Sequence, residues 1–192
     1  MTVINSKTLS RIAAMQAVYQ IESNLDKEDI DNIKTSIIEY YDSKMAKEDL
    51  YEDISKNNIK QNSHPHTEET FDKKNINKTH NEYKDSLIIK LNKNFFSKVF
   101  DKVVVNLDKI DQNIQLNISR ANTFSSLSRS TIAVLRCGCA ELMFLTEVPP
   151  NVVVNEYTNI ASDMLKDNEI GFVNSILDLT KASYRPKDDI AK

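Results

Sequence analysis

Glycine and proline are scarce in this chain, and their scarcity constrains the fold more than any other feature. The 192 residues include 2 Gly and 4 Pro. A β-sandwich or barrel needs turn residues at nearly every hairpin, so these folds are excluded. No stretch holds two nearby glycines, which excludes the Walker and dinucleotide phosphate-binding loops. The chain is therefore predicted to be all-α, and it is long enough to bury a substantial core.

Charge and hydropathy give no reason to expect a membrane or a strongly polyanionic partner. The formal net charge is −3, and no run of about 18 apolar residues occurs. The start of the chain lacks a secretory pattern, and we expect a cytoplasmic protein that does not contact membranes. Charge is nevertheless uneven, because residues 24–54 carry 4 basic and 10 acidic side chains. Net charge alone makes no case for nucleic-acid binding.

Apolar side chains recur at helical spacing over most of the chain. Residues 87–114 form a stripe long enough for one helix or for two in line. Four helical segments are predicted by range, at 6–22 (capped by Asn5 or Ser6), 27–41, 47–54 and 87–114. Three more are predicted by their start points, which are Ser128 or Ser130, the residues just after Pro149-Pro150, and Asp167 or Asn168.

One long stretch, residues 55–86, breaks this pattern. It is dominated by polar and charged side chains, and its few apolar residues have no sustained period. Such a stretch cannot bury enough apolar surface to offset its chain entropy. The predicted organisation is an N-terminal helical subdomain at 6–54, a disordered or weakly helical insert at 55–86, a C-terminal helical subdomain at 87–182 and a loose tail at 183–192.

Cysteines and histidines do not form a metal or catalytic pattern. Cys137 and Cys139 would point about 200° apart on a helix, and two cysteines cannot make a four-thiolate zinc site. We predict that both pack in the core. The histidines (His64, His66 and His80) all lie in the polar insert. No nucleophile-elbow motif occurs. The sequence thus predicts no enzyme, no metal and no cofactor.

The residues offer a weak nucleic-acid signal. Lys7 and Arg11 stand at i, i+4 on the first predicted helix, where they share a face from which both could reach phosphates. Tyr19 and Phe172 offer stacking surfaces for unpaired bases. The alternative is a solvated helix face without a partner. Glu156 stands near the start of a predicted helix and is interpreted as a carboxylate that favours the positive helix end.

Four segments carry a more specific signal than composition does. In order and spacing they resemble motifs of the NusB family, the bacterial transcription antitermination factors. The likeness covers about residues 6–54 and 93–182, and the insert is absent from the typical member. The four segments are QAVYQ at 16–20, which resembles the family's QALYQ, VLRCGCAEL at 134–142 (ILRLAxYEL), EVPPNVVVNE at 147–156 (DVPxKVxINE) and FVNSILD at 172–178 (FVNGVLD).

The resemblance implies a fold and a function. The implied fold is all-α, with two small helical subdomains. The implied function is non-catalytic: binding the boxA element of RNA together with NusE, a small-subunit ribosomal protein, and joining RNA polymerase and other Nus factors during ribosomal RNA transcription. Because some family members dimerise, a homodimer is also allowed.

Carried over by position, the resemblance assigns RNA contacts to Lys7, Arg11, Tyr19, Asn168 and Phe172. The family's first helix starts with several arginines. In this chain only Lys7 and Arg11 are basic in that segment. The family commonly has Asp where Asn168 stands and Lys three positions later. Since each lost phosphate contact weakens binding, we expect the isolated protein to bind RNA weakly and NusE to supply much of the surface.

The NusE-facing helix implied by the resemblance includes Thr131, Ile132 and Leu135. Thr131 stands where the family usually has an acidic residue, and Ile132 stands where it has a basic or polar one. Two alternative functions stay open. One is the RNA-binding domain of a ribosomal RNA cytosine methyltransferase in truncated form. The other is a protein-only scaffold with reduced RNA affinity.

Overall fold

A computed structural model of the chain describes residues 5–21, 26, 28–44, 89–118 and 124–186. Within these ranges the regular structure is helical and contains no β-strand, which confirms the all-α prediction. A short 3₁₀ turn, Phe124–Ser126, precedes the central helix. The α-helices are α1 (Ser6–Gln20), α2 (28–44), α3 (Lys93–Val105), α4 (Leu107–Asn117), α5 (Arg129–Phe144), α6 (Pro150–Met164) and α7 (Asp167–Tyr184).

Polar side chains fix where several helices begin. Asn5, Asn92 and Ser128 each accept a backbone N–H from the first turn of the helix that follows, at 2.9 to 3.1 Å. These bonds satisfy donors that have no partner within the helix. The predicted caps at Asn5 and Ser128 are thereby confirmed. The last helix begins at Asp167 with Lys166 as its N-cap, so its predicted cap at Asp167 or Asn168 is wrong by at least one residue.

The long apolar stripe predicted at 87–114 is two helices in the described part of the chain. Asn106 separates α3 from α4, with φ −120° and ψ 24°. Its side-chain amide donates to the carbonyl oxygen of Lys102 at 2.9 Å, which satisfies one of the last acceptors of α3. The chain therefore turns between the two helices while Val103 and Ile110 remain in one core.

Helix α5 lies at the centre of the fold and contacts α1, α3, α4, α6 and α7. Gly138 on α5 allows this close approach. A Cβ atom there would lie 2.7 Å from Cδ2 of Leu177 and 3.3 Å from the Tyr157 ring. The smallest residue of the central helix therefore stands where side chains of α6 and α7 pack against it.

Both cysteines are fully buried on α5, which confirms their prediction as core residues. The Cys139 sulfur lies 3.5 Å from the Thr180 hydroxyl and 3.7 Å from the Asn113 amide nitrogen. Burial raises the pKa of the Cys139 thiol to about 12 and raises that of Cys137 well above its usual range. Both side chains behave as small apolar groups.

Several sequence predictions fall on residues that the structure does not describe. These are the helix at 47–54, the insert at 55–86 and both of its boundaries, so the subdomain division stays a prediction. The loose tail was predicted at 183–192, but α7 continues to Tyr184, and residues 187–192 lie outside the described residues. Arg185 then donates to the carbonyl oxygens of Thr146 and Val148, each at 3.1 Å. Among the described helices, none is long and apolar enough to span a membrane.

Candidate nucleic-acid interface

Arg11, predicted as an RNA contact on an exposed face, lies in the interior. Its side chain is 2% exposed. Nη2 lies 2.6 Å from Oε1 of Glu141, and Nε donates to Oε2 of the same carboxylate at 3.0 Å. Nη1 lies 3.1 Å from Oε2 of Glu156. The expectation that Lys7 and Arg11 share an accessible face is therefore wrong, because this guanidinium is occupied by two carboxylates.

The surroundings of Arg11 explain why a charge is tolerated there. Phe95 and Tyr157 place their rings 5.1 and 5.9 Å from the guanidinium carbon. Burial alone would lower the pKa of Arg11, but the hydrogen bond to Glu141 and the nearby negative charges raise it overall. A buried cation needs such partners, because the cost of leaving it unpaired far from water is several kcal/mol.

Glu156 was interpreted as a carboxylate at a helix start, and the structure corrects this. It stands in the second turn of α6, accepts the Thr8 hydroxyl at 2.6 Å and pairs with Arg11. Helices α1, α5 and α6 are thus joined by one polar cluster.

Lys7 is the exposed member of the predicted basic pair. Its ammonium nitrogen lies 5.8 Å from the centre of the Phe95 ring. It stands at the first turn of α1, about 18 Å along the helix from Tyr19. Lys7 and Tyr19 therefore mark opposite ends of α1, and an RNA strand that touched both would have to follow the helix for its whole length.

Tyr19 is exposed at the C-terminal end of α1 and contacts the start of α5. Its side chain is 44% exposed. The guanidinium carbon of Arg129 lies 4.9 Å from the Tyr19 ring centre, and Nη2 of Arg129 donates to the Tyr19 carbonyl oxygen at 3.0 Å. This cation–π contact places a positive charge beside the predicted stacking surface.

Asn168 and Phe172 lie together on the first turns of α7. They line a surface groove of about 480 Å³. Asn168 is exposed and Phe172 is partly buried. The other wall is the segment that leads into α5, including Leu127 and Thr131. The structure thus brings two predicted RNA contacts next to a residue that was assigned to the NusE surface.

The three predicted NusE contacts differ in accessibility. Thr131 is 1% exposed and donates its hydroxyl to Oε1 of Glu169 at 2.6 Å. Leu135 is fully buried in the core, so its assignment to a partner surface is wrong for this fold. Ile132 is partly exposed and is the member of the set that a partner can reach. Thr131 and Leu135 are buried because other helices surround α5.

Glu169 joins the first turn of α7 to the start of α5. It reaches from α7 to the start of α5, where Ser128 Oγ also donates to its Oε1 at 3.0 Å. The hydrogen bond from Thr131 is the main cause that lowers the pKa of Glu169. A carboxylate at this position also favours the positive end of α5. Glu169 therefore holds the Asn168 turn against the helix whose first residue, Arg129, contacts Tyr19.

Two important residues of this region, Arg129 and Glu169, carry no local motif signal. Arg129 and Glu169 act through contacts with residues 110 and 38 positions away. Glu141 was detectable, because a carboxylate inside the apolar run of α5 requires a cation. In the part of the chain that the structure describes, no group of three or more His, Cys, Asp or Glu side chains is placed to hold a metal ion.

Comparison with known proteins gives a consistent result. A model of the NusB family matches residues 53–181. The "Transcription antitermination protein NusB" of Rickettsia bellii is 33% identical over 175 residues, which span 91% of this chain and 89% of the relative. The protein of the same name from Rickettsia conorii is 32% identical over 176 residues, 91% of this chain and 90% of the relative.

The fold has also been observed before. A solved structure of T. maritima NusB superimposes with a TM-score of 0.61 at 22% sequence identity, covering 100% of both chains. The name of the relatives describes a transcription factor and no enzymatic activity. The helical fold, the four motifs and these matches show that the chain belongs to the NusB family.

Proposed function

We propose that this protein is a non-catalytic transcription antitermination factor. It acts in the cytoplasm and binds boxA RNA together with NusE. The complex joins RNA polymerase and other Nus factors during ribosomal RNA transcription. The observation that carries the proposal is the similarity, over 91% of the chain, to relatives named as antitermination proteins.

The surface geometry supports RNA binding through few charges. Lys7, Tyr19 and Asn168 are exposed, and Phe172 is partly accessible. Arg11 is removed from this set because it is paired in the interior. Fewer phosphate contacts mean lower affinity and a shallower dependence on salt. We therefore expect weak RNA binding by the protein alone, with NusE providing further contacts beside Ile132.

The burial of Arg11 also favours a second candidate, a scaffold that binds NusE but has lost RNA affinity. The methyltransferase alternative has less support, because the matching relatives are named antitermination proteins and this chain spans about nine tenths of their length. The homodimer stays a prediction, and light scattering of the purified protein would test it.

A fluorescence-anisotropy titration separates the first two candidates. Labelled boxA RNA is titrated with the protein alone and with equimolar NusE, against a scrambled RNA of the same composition. We expect sequence-selective binding that tightens at least tenfold with NusE. Capture of NusE without RNA binding in either mixture would favour the scaffold. Submicromolar boxA affinity without NusE at physiological salt would contradict the predicted dependence on NusE.

A further inference from the structure

A second groove, of about 490 Å³, opens where α1, α2, α5 and the end of α6 meet. Its walls are largely apolar and include Met15, Tyr19, Ile37, Tyr40 and Met164. This volume is in the range of small-molecule sites and is sufficient for a nucleobase. Tyr40 and Met164 carry no role in the proposed function, yet both are more than half exposed.

Two aromatic side chains from different helices line this groove. Tyr19 comes from α1, and Tyr40 comes from α2. The Tyr40 ring packs edge to face against the Tyr41 ring, with 5.3 Å between the ring centres. The Tyr41 hydroxyl in turn donates to Gln16 Oε1 at 3.0 Å. These contacts restrain Tyr40 from one side while the residue remains 53% exposed.

One cation stands beside an aromatic side chain of the groove. Arg129 stacks on Tyr19 at the rim. Asp42 on α2 pairs with Lys93, and Asp101 on α3 pairs with Lys34, each at 2.7 Å. Single-stranded RNA is commonly bound by aromatic side chains that stack on splayed bases, next to cations that contact the backbone.

We propose that this groove binds one unpaired nucleobase of the RNA between Tyr19 and Tyr40, with Arg129 beside the adjoining phosphate. Gln16 also lines the groove. Because Tyr41 occupies its amide oxygen, the amide nitrogen is the group that donates to the base edge. The inference rests on the proposed function and adds Tyr40 and Arg129 to the RNA-binding residues.

Abasic substitution of the RNA tests this directly. Binding of boxA RNA in the presence of NusE is measured by anisotropy for a series of RNAs, each with one abasic site. We expect one position where base removal weakens binding by roughly tenfold, as loss of one base–aromatic stack does. Tyr40→Leu should cause a similar loss with intact RNA and no further loss at that position. Tyr40→Phe, which keeps the ring, should bind like the unaltered protein.

The outcomes separate this inference from the proposed function. If the unaltered protein binds boxA RNA and Tyr40→Leu binds equally well, the base site is excluded while the proposed function stands. If Tyr40→Leu weakens NusE capture instead, the groove holds a protein side chain and the inference fails. If no boxA binding occurs with NusE, both fail. Tyr184→Leu, an exposed tyrosine at the end of α7, serves as the matched control and should bind like the unaltered protein.

Discussion

Arg11 on α1 and Glu141 on α5 form a two-point ion pair in the interior, across 130 positions of sequence. Together with Glu156 on α6, this ion pair joins three helices where they pack against one another. The residue that local spacing offers as an RNA contact thus belongs to the structural centre of the fold. The proposed RNA surface is therefore built from other side chains.

Replacing Arg11 tests its structural role. Arg11→Ala leaves the carboxylate of Glu141 buried without its cation, and the expected loss is about 3–5 kcal/mol in the free energy of unfolding. Urea titration followed by circular dichroism measures it. Lys7→Ala, four residues away but exposed, should stay within about 0.5 kcal/mol of the unaltered protein. Equal stability of Arg11→Ala and the unaltered protein would show that the ion pair does not form.

Lys7 is expected to act on RNA and not on stability. Lys7→Ala should weaken boxA binding and reduce the slope of log affinity against log salt by about 0.7, the loss of one phosphate contact on a single strand. Anisotropy titrations at four salt concentrations, with NusE present, provide the slope. Lys44→Ala, an exposed lysine on α2, is the control. An unchanged slope for Lys7→Ala would remove Lys7 from the interface.

Gly171 offers a gain-of-function test. It is exposed on α7, and a side chain there would meet nothing within 4 Å. Gly171→Lys places a cation near Asn168 and Phe172, so RNA binding should tighten and the salt slope should steepen by about 0.7. Gly171→Ala should stabilise the helix by about 0.5–1 kcal/mol with no change of slope. Identical slopes for both variants would place RNA away from this turn.

Glu169 is expected to make stability depend on acid pH. The hydrogen bond from Thr131 lowers its pKa in the folded protein. The stabilisation by ionised Glu169 is therefore complete above the unfolded-state pKa of about 4.3. This stabilisation is lost as the pH falls through the lower pKa of the folded protein. The melting temperature of Glu169→Gln should lie below that of the unaltered protein at pH 7, and the difference should shrink toward pH 3. Glu39→Gln, at an exposed site on α2, is the control and should show no such trend. A pH-independent difference in melting temperature for Glu169→Gln would contradict the stabilising role of the ionised carboxylate.

The two cysteines should be inert in the folded protein. With a pKa of about 12, roughly one Cys139 thiol in ten thousand is ionised at pH 8, and the thiolate is the reactive form. A colorimetric thiol assay at pH 8 should detect almost no reaction in buffer and two thiols per chain in denaturant. Rapid reaction of one thiol in buffer would show that α5 opens readily.

Much of the helical architecture could be predicted from the sequence, because amphipathic periods and caps are local signals. The helices at Ser6 and after Ser128 illustrate this. Burial around α5 could not be predicted in the same way. Motif comparison assigned Leu135 to a partner surface, and spacing assigned Arg11 to an exposed face, but helices distant in sequence cover both side chains. Motif comparison assigns residue types to positions and does not tell which side of a helix its neighbours bury.

The contacts of the candidate RNA surface were the least predictable part. Tyr19 was identified from its motif, whereas Arg129 reaches it from 110 positions away. The role of Glu169 likewise depends on the packing of α7 against the start of α5. Such contacts follow from the tertiary arrangement, and no period or spacing in the chain encodes them.

Antitermination itself is tested most directly by single-round transcription through a terminator, with RNA polymerase, NusE and the other Nus factors present. Templates carry either boxA or a scrambled element upstream of the terminator. Adding this protein should increase read-through on the boxA template and leave the scrambled template unchanged. Equal read-through on both templates, or no increase on either, would contradict the proposed function.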